Sequence, residues 1–414
     1  MRILLLTHYY PPETGPPQLR WSALVRDLVG AGHQVDVITP APHYPTGQLL
    51  PGEDPAQVGH PHTGEHGETV HRVPFRPSTG TALSLLLDQG LTAAHSVVTA
   101  WRRRAELRPD VVVATVPGIP TAAAGRAVAT ALRAPLVLEM RDAWPDILGG
   151  VGDPEARPAR RAVRGLVLAT ARTTVTLLQR SADLVVTTTD SFGETLRKRG
   201  VGRVVTVRNA HHELPGEAAP RPERSGTSPL RVIYVGTGGR AHGLETSVRA
   251  AHLARQAGVD VVLRVVGTGA RLAPVRHLVR ELQAPVELVG PVPREEVAEH
   301  YAWCDTFLVS LRDWPGLCRT VPSKLYEALA LGLHVSASVA GEAAEIVERT
   351  GAGFAVPPED AEALAAAWQE LAARGPSPDR PRMRAWLEEH ATESGASARL
   401  MEALASLTRQ RVPA

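Results

Sequence analysis

Cysteine is scarce in this chain of 414 residues: there are two, Cys304 and Cys318, too few for a disulfide framework and with no metal-ligand cluster around them. That usage fits a reducing cytoplasm. Lysine is nearly missing too, since of 45 basic residues only Lys198 and Lys324 are lysines. A background that writes arginine wherever either cation serves gives a surviving lysine more weight as a compact ammonium. Lys198 sits in the plain surface run Leu196 to Gly200, so the weight falls on Lys324. Neither sign of charge dominates: the net charge of +2 makes no broad electrostatic case for nucleic acid, and no partner of that kind is expected. No apolar run approaches the ~20 residues that span a bilayer. The longest, Leu83 to Leu91 and Leu166 to Leu178, are interrupted by Asp88 and Arg172. The apolar opening is broken by His8, and no small-residue cleavage site follows it, so it reads as a buried first strand and not as a secretory signal. The expectation is a cytoplasmic protein, at most peripheral to a membrane.

What is present describes a globular protein: 43% hydrophobic and 21% charged residues, at a length suited to two domains. Short apolar runs alternate with longer helical segments, the pattern of parallel sheets with crossover helices. In the first half, strands are expected at 2–7, 34–39, 69–75, 110–114, 134–139, 183–187 and 204–208, with a helix over 17–31 closed by Gly32. Residues 40–68, rich in Pro, His and Gly, show no apolar period and read as a long mobile loop. The Pro- and Glu-rich stretch 211–228 is expected to link a first domain, 1–210, to a second, 229–392, with a final helical segment over 393–414. In the second half the expected strands are 230–236, 260–266, 286–289, 305–309 and 334–338. The helices between and after them are 243–257, 270–282, 293–303, 322–331, 342–349 and others from 359 onward. The basic stretches at Trp101-Arg102-Arg103-Arg104 and Arg157 to Arg164 fit either a membrane surface or the solvated faces of an arginine-rich protein, and solvated faces are the plainer reading.

Three segments of the second half carry candidate chemistry. Val232 to Leu244 is a strand, a glycine-rich turn (Gly236, Gly238, Gly239) and a helix start, with Arg240 as a forked donor suited to a diphosphate. An ordinary tight turn makes the same pattern. Pro322-Ser323-Lys324-Leu325-Tyr326-Glu327 opens a helix on which Lys324 and Glu327, three apart, share a face. That offers a cation for a diphosphate and a carboxylate for ribose hydroxyls, or a plain surface ion pair. Gly341-Glu342 follows a strand and opens another helix, suited to a donor sugar, a phosphate or no ligand at all.

In this order and spacing the three segments resemble the nucleotide-binding half of family-4-type retaining glycosyltransferases with the GT-B fold, two doubly wound Rossmann-like α/β domains facing a central cleft. The first half follows the same pattern. His8 to Pro17 looks like the family's first loop, whose glycine, here Gly15, lies near the donor diphosphate. Gly32 to Val37, and Val356 to Leu364, match further family segments. Tyr44-Pro45-Thr46-Gly47 and Arg141-Asp142-Ala143-Trp144-Pro145-Asp146 resemble a subgroup that builds bacterial surface polysaccharides from aminosugar or deoxysugar donors. Three departures stand out. Arg319 occupies the place of the family's first glutamate, which commonly contacts the donor sugar; His242 stands where a lysine is common, and Ala210 where a glycine is usual.

The resemblance implies transfer of a sugar from a UDP- or GDP-sugar to an acceptor hydroxyl, with retention of the anomeric configuration. No metal and no cofactor beyond the nucleotide sugar is implied, and the sequence contains no Asp-x-Asp triplet. Arg240 and Lys324 would stabilise the leaving diphosphate, while Asp142 and Arg141, at the carboxyl end of a strand, would border the acceptor. Asp142 is a candidate to take the acceptor's proton, or one half of a purely structural Arg–Asp pair with Arg141. The acceptor is left open between a lipid-linked glycan and a small metabolite. The alternatives are a GT-B-fold nucleotide-sugar epimerase and a non-catalytic nucleotide-sugar-binding protein.

Overall fold

The computed structural model describes residues 1–78, 81–150, 158–210 and 228–409. The expected linker therefore lies, save for Ser228, outside the described residues, as do Arg157 and residues 410–414. The chain divides into two compact units, residues 1–210 with 393–414, and residues 211–392.

The first unit runs β1 (Arg2–Leu6), α1 (Pro16–Gly30), β2 (Gln34–Pro40), β3 (Pro61–Thr63), β4 (Thr69–Val73), α2 (Ala82–Arg102), α3 (Arg104–Leu107), β5 (Val111–Val116), α4 (Ile119–Leu132), β6 (Leu136–Met140), α5 (Pro158–Ser181), β7 (Leu184–Thr187), α6 (Asp190–Lys198) and β8 (Val204–Thr206). Its sheet has the order β3-β4-β2-β1-β5-β6-β7-β8, and only β3 is antiparallel to its neighbour. β5 is Val-Val-Val-Ala-Thr-Val and buried at every position. Such unbroken apolar runs belong to parallel strands covered on both faces. On one face Trp21, Leu24 and Leu28 of α1 pack with Leu400, Leu404 and Leu407 of the last helix, α14 (Glu393–Arg409). Each such buried leucine stabilises by roughly 1.5–3 kcal/mol. Ser397 seals the contact by donating to Asp27 at 2.6 Å. On the other face α2 lies over β2 and β4 and α4 over β5 and β6, with Val175 of α5 in the same core.

Residues 40–68 are not the structureless loop expected. Asp54 caps a 3-10 turn at Pro55–Gln57, and β3 pairs antiparallel with β4 at the sheet edge. The segment is held by backbone bonds, which leave no side-chain period to read.

The second unit runs β9 (Leu230–Val235), α7 (Leu244–Gln256), β10 (Val261–Val266), α8 (Leu272–Leu282), β11 (Val286–Gly290), α9 (Val297–Trp303), β12 (Thr306–Ser310), α10 (Ser323–Ala330), β13 (Val335–Ser338), α11 (Glu342–Thr350), β14 (Gly353–Val356), α12 (Ala361–Arg374) and α13 (Arg380–His390). Its sheet, β11-β10-β9-β12-β13-β14, is parallel throughout. β14 has no counterpart among the strands expected from sequence, because its four residues are half-buried and flanked by glycine and proline. In both sheets the chain order reverses beside the first strand, β1 or β9. The loops after those strands are where doubly wound folds take their ligands.

Candidate active site

In the second unit the switch point is built from two glycine turns locked together. Gly236 N–H donates to the Val266 carbonyl at 2.9 Å, and Gly238 N–H to that of Thr268 at 2.7 Å. A Cβ on Gly267, whose φ is +131°, would stand 2.2 Å from the Gly236 carbonyl oxygen; one on Gly269 would stand 2.4 Å from that of Gly238. The turn Gly267-Thr268-Gly269 was not among the residues singled out in the sequence. Its signal was a second glycine pair at the carboxyl end of an apolar strand.

Lys324 lies beneath this turn. Its residue is 9% exposed, and Nζ has no hydrogen-bond acceptor among the described residues. Nζ sits 3.6 Å from the centroid of the Tyr234 ring and 3.4 Å from where a Cβ on Gly236 would be. Burial lowers its pKa to about 7, against the opposing pull of the Glu327 carboxylate. A cation held without an acceptor in so dry a place is incomplete until an anion arrives. The helix that carries it, α10, begins with no side-chain cap and no acidic residue in its first turn. Its positive end is thus uncompensated. Ser323 is exposed at its first position. Glu327 lies against Tyr301, whose phenol is held protonated by burial and by that carboxylate.

His242 contributes where sequence reasoning noted only a departure. Its Nδ1 accepts from Gly239 N–H at 3.2 Å, so the neutral ring carries its proton on Nε2. Burial lowers its pKa to about 3, and Lys324 adds to the effect, so the ring is neutral. Arg240, two residues earlier, is exposed. Its carbonyl accepts from Arg312 Nε at 2.9 Å. Arg312 in turn pairs with Glu245 at 3.0 Å and Glu359 at 2.8 Å, tying together the segments that follow β9, β12 and β14.

Gly341 has a left-handed φ of +66°, and a Cβ there would stand 2.0 Å from the Cys318 carbonyl oxygen. This glycine is demanded by close packing of two loops. The neighbouring Arg319 donates to the Pro315 carbonyl at 3.0 Å within its own turn. Glu342, 6% exposed, and Glu345 occupy the first turn of α11 and already offset its dipole.

In the first unit, Gly15 precedes α1, which has no side-chain cap and no first-turn acid; Pro16 and Pro17 supply no N–H there. The loop is pinned by Glu13, which accepts from the amides of His43 at 2.8 Å and Tyr44 at 2.9 Å and from Gln18 Nε2 at 3.0 Å. Arg141 and Asp142 are half-buried just past β6. Burial raises the Asp142 carboxyl above its usual range, and Arg141 opposes this. Arg141 Nε has no partner among the described residues.

The structure also gathers His8, His43 and Asp88, whose ligand atoms all lie within 4.8 Å of one another, the one such group among the described residues. Each is buried. Asp88 Oδ2 is 3.0 Å from His43 Nε2 and 3.3 Å from His8 Nε2, while Oδ1 accepts from Arg76 N–H at 2.8 Å. His43 Nδ1 is committed to the Ala41 carbonyl at 2.8 Å. Burial alone would lower the His43 pKa, but the bonds to Asp88 and Ala41 raise it. A doubly donating His43 imidazolium against the carboxylate satisfies both His43 nitrogens, while His8 Nδ1 has no partner among the described residues, and a metal would have to displace the His43 proton. The sequence signal was a lone acid inside the apolar run Leu83 to Leu91.

Two doubly wound units, one holding an unpaired lysine under a glycine turn, have the makings of a nucleotide-sugar enzyme. Known proteins agree on the class. Residues 17–210 match the glycosyl transferase 4-like domain, and residues 229–374 match glycosyl transferases group 1. The chain is 30% identical over 199 residues to the putative colanic acid biosynthesis glycosyltransferase WcaL of Escherichia coli, covering 47% of this chain and 48% of that protein. It is 24% identical over 384 residues to the putative colanic acid biosynthesis glycosyl transferase WcaI of the same organism, covering 88% and 91%. The WcaL match thus spans about half the length of that relative, whereas the WcaI match is nearly end to end. Among solved structures, sucrose-phosphate synthase from Thermosynechococcus elongatus superposes with a TM-score of 0.73 at 19% identity over 99% of both chains. HepE from Anabaena, in complex with UDP-glucose, superposes with a TM-score of 0.62 at 17% identity over 98% of this chain and 99% of that one. The fold is GT-B, and the chain belongs to the glycosyltransferases that these two family models describe.

Proposed function

We propose that the chain transfers a sugar, with retention at the anomeric carbon, from a UDP- or GDP-sugar to an acceptor hydroxyl during assembly of a surface polysaccharide. The observation that carries this is the buried, unpartnered Lys324 ammonium under the Gly236 turn. The Anabaena neighbour's bound UDP-glucose supports the donor class, and the names of the colanic acid relatives support the product class.

In this reading Lys324, the open start of α10 and the exposed Arg240 take the charge that grows on the departing diphosphate. Neutral His242 adds a donor, and Glu327 accepts from ribose hydroxyls. The start of α11, already carrying Glu342 and Glu345, suits sugar hydroxyls better than phosphate. The acceptor oxygen bonds to the anomeric carbon on the face the diphosphate leaves. The breaking C–O bond's electron pair goes to the phosphate oxygen, and Asp142 takes the hydroxyl proton. The protein's own cations meet the leaving group, so the reading requires no metal and no cofactor besides the nucleotide sugar.

The test is turnover with a panel of UDP-, GDP- and dTDP-sugars, with and without EDTA, for wild type and Lys324→Ala. Product from one donor, unaffected by EDTA and lost in the variant, is expected. Conversion of donor with no acceptor present would indicate an epimerase, and calorimetric binding without product from any acceptor a non-catalytic binder; either sinks the transferase reading. Loss of activity in EDTA overturns only the metal-free step.

A further inference from the structure

α2 is inside out. The residues it buries are largely polar or small: Asp88, Thr92, Ala93, Ser96 and Ala100. It exposes Leu85, Leu86 and, along one line, Leu83, Leu87, Leu91, Val98 and Trp101, with Leu83 67% and Trp101 56% exposed. Those positions, with exposed Ala94 among them, recur every three or four residues and so form one stripe. At 1.5 Å per residue the stripe is about 27 Å long. An ordinary surface helix has the opposite pattern. The basic end of the helix, Trp101 and Arg102 with Arg104 just past it, is exposed, as either a solvated face or a membrane surface would have it.

The stripe does not stand alone. α4 packs beside α2, and α5 packs on α4 from the far side. α4 exposes the low side chains of Ala123, Ala127 and Ala131. α5 exposes Leu166 at 70%, Val167 and Leu177. Across the sequences of all three helices there is a single carboxylate, Asp88, which is buried. Arg102, Arg172 and Arg180 are exposed on them. At one end of the stripe the Arg104 guanidinium lies 4.7 Å from the Trp101 ring centroid, a pairing suited to a water–lipid boundary. No helix among the described residues is long and apolar enough to cross a membrane.

We propose that the α2–α4–α5 face of the first unit docks on the surface of an anionic phospholipid bilayer, its leucines entering the headgroup boundary and its arginines meeting lipid phosphates. Charge decides between this and a second copy of the chain. Pairing the face with itself would set arginine against arginine with no exposed carboxylate on these helices to answer them. An anionic bilayer supplies the missing sign. This inference stands apart from the catalytic proposal, since none of its residues belongs to the candidate site.

The experiment is flotation of the full chain with vesicles of phosphatidylcholine alone and of phosphatidylcholine mixed with phosphatidylglycerol. Wild type is expected to float with the anionic vesicles, less with the neutral ones, and less again as salt rises. The triple variant Leu83→Gln, Leu87→Gln, Leu91→Gln is expected to lose binding at least tenfold with an unchanged unfolding temperature. No binding by wild type, or equal binding by a folded triple variant, overturns the proposal. So does light scattering that finds a dimer in solution which the variant turns into a monomer. Should the variant not fold, wild type decides: quenching by brominated acyl chains of a fluorescence component that Trp101→Phe removes supports docking, and its absence overturns it.

Discussion

The Lys324 ammonium stands 3.6 Å from the centre of the Tyr234 ring, with no oxygen among the described residues to receive its protons. The ring face offers a weak electrostatic partner, worth about 0.5–2 kcal/mol. That does not repay full removal of an ammonium from water. Fold and ligand therefore pull in opposite directions at this residue. Lys324→Met keeps the shape and removes the charge. The variant is expected to unfold at the same temperature or higher, because an unpaired buried charge is gone. Its affinity for a nucleoside diphosphate should fall tens to hundreds of times, since hydrogen bonds to charged groups are worth about 1.5–3 kcal/mol each. Thermal melts and calorimetry on the same samples measure both. A variant that loses stability and keeps affinity refutes the assignment.

The same lysine should make binding take up protons. Its pKa is about 7 without ligand, and a diphosphate beside it would raise that value. Above pH 7 the free protein is increasingly unprotonated at Lys324 and must gain a proton to bind. Affinity should therefore weaken as pH climbs from 7 toward the pKa of the complex, and this residue should contribute no slope below about 6. Calorimetry at pH 8 in buffers of different ionisation enthalpy reads the uptake directly. Lys324→Met should abolish it.

Gly267 and Gly341 are required by close approach. A Cβ would stand 2.2 Å from a carbonyl oxygen at the first and 2.0 Å at the second, each at a positive φ. Both overlaps are with backbone, which cannot swing aside. Gly341→Ala and Gly267→Ala are each expected to cost about 2–4 kcal/mol, within the range of strained-backbone and overpacking changes. Chemical denaturation measures this. Gly258→Ala is the control for strain alone, since it has a positive φ with nothing within 4 Å, and it should cost less.

The doubly wound architecture was legible because both sheets are parallel, and buried parallel strands such as β5 and β9 write themselves as apolar runs. The glycine turn after β9 and the helix opening at Lys324 were legible for a similar reason: each is a local motif. What escaped was made by contacts distant in sequence. His8, His43 and Asp88 come from three separate elements, and only the oddity of an acid among leucines pointed at one of them. Gly341 invited a ligand in the sequence, yet its constraint is the carbonyl of Cys318, which no local pattern could announce. The outward-facing leucines of α2 were visible as an apolar run, but a run does not tell which side of the helix meets the core. Here the polar side does, because Asp88 is drawn inward by two histidines.

That inward ion pair gives stability a pH window. Burial would raise the Asp88 pKa, but hydrogen bonds from His43, His8 and the Arg76 amide depress it below the ordinary aspartate value of 3.8. Its contribution is thus present above that value and lost as pH falls further. The His43 pKa is raised above 6.5, so its contribution is complete below 6.5 and lost as pH rises through the folded value. Asp88→Asn is expected to cost about 3–5 kcal/mol near pH 5.5, as breaking one side of a buried pair does. The deficit should shrink as pH rises through the raised His43 pKa, where the imidazolium loses its proton. A deficit that is flat from pH 5.5 to 9 would show that no imidazolium is involved.

Asp142 offers the sharpest separation of catalysis from binding. Burial holds its carboxyl above the usual range, with Arg141 opposing, which places a base nearer to working pH than an exposed aspartate would be. As acceptor of the hydroxyl proton it acts only when ionised, so kcat/KM should fall as pH drops through its raised pKa. Asp142→Asn should lower kcat by about 100- to 10,000-fold, the span of general-base contributions, and remove that acid limb from what activity remains. Donor affinity should hardly change, because Lys324 and Arg240, the cations proposed for the diphosphate, belong to the second unit. If the acid limb survives in the variant, the proton goes elsewhere, and the departing phosphate oxygen is then the acceptor to test.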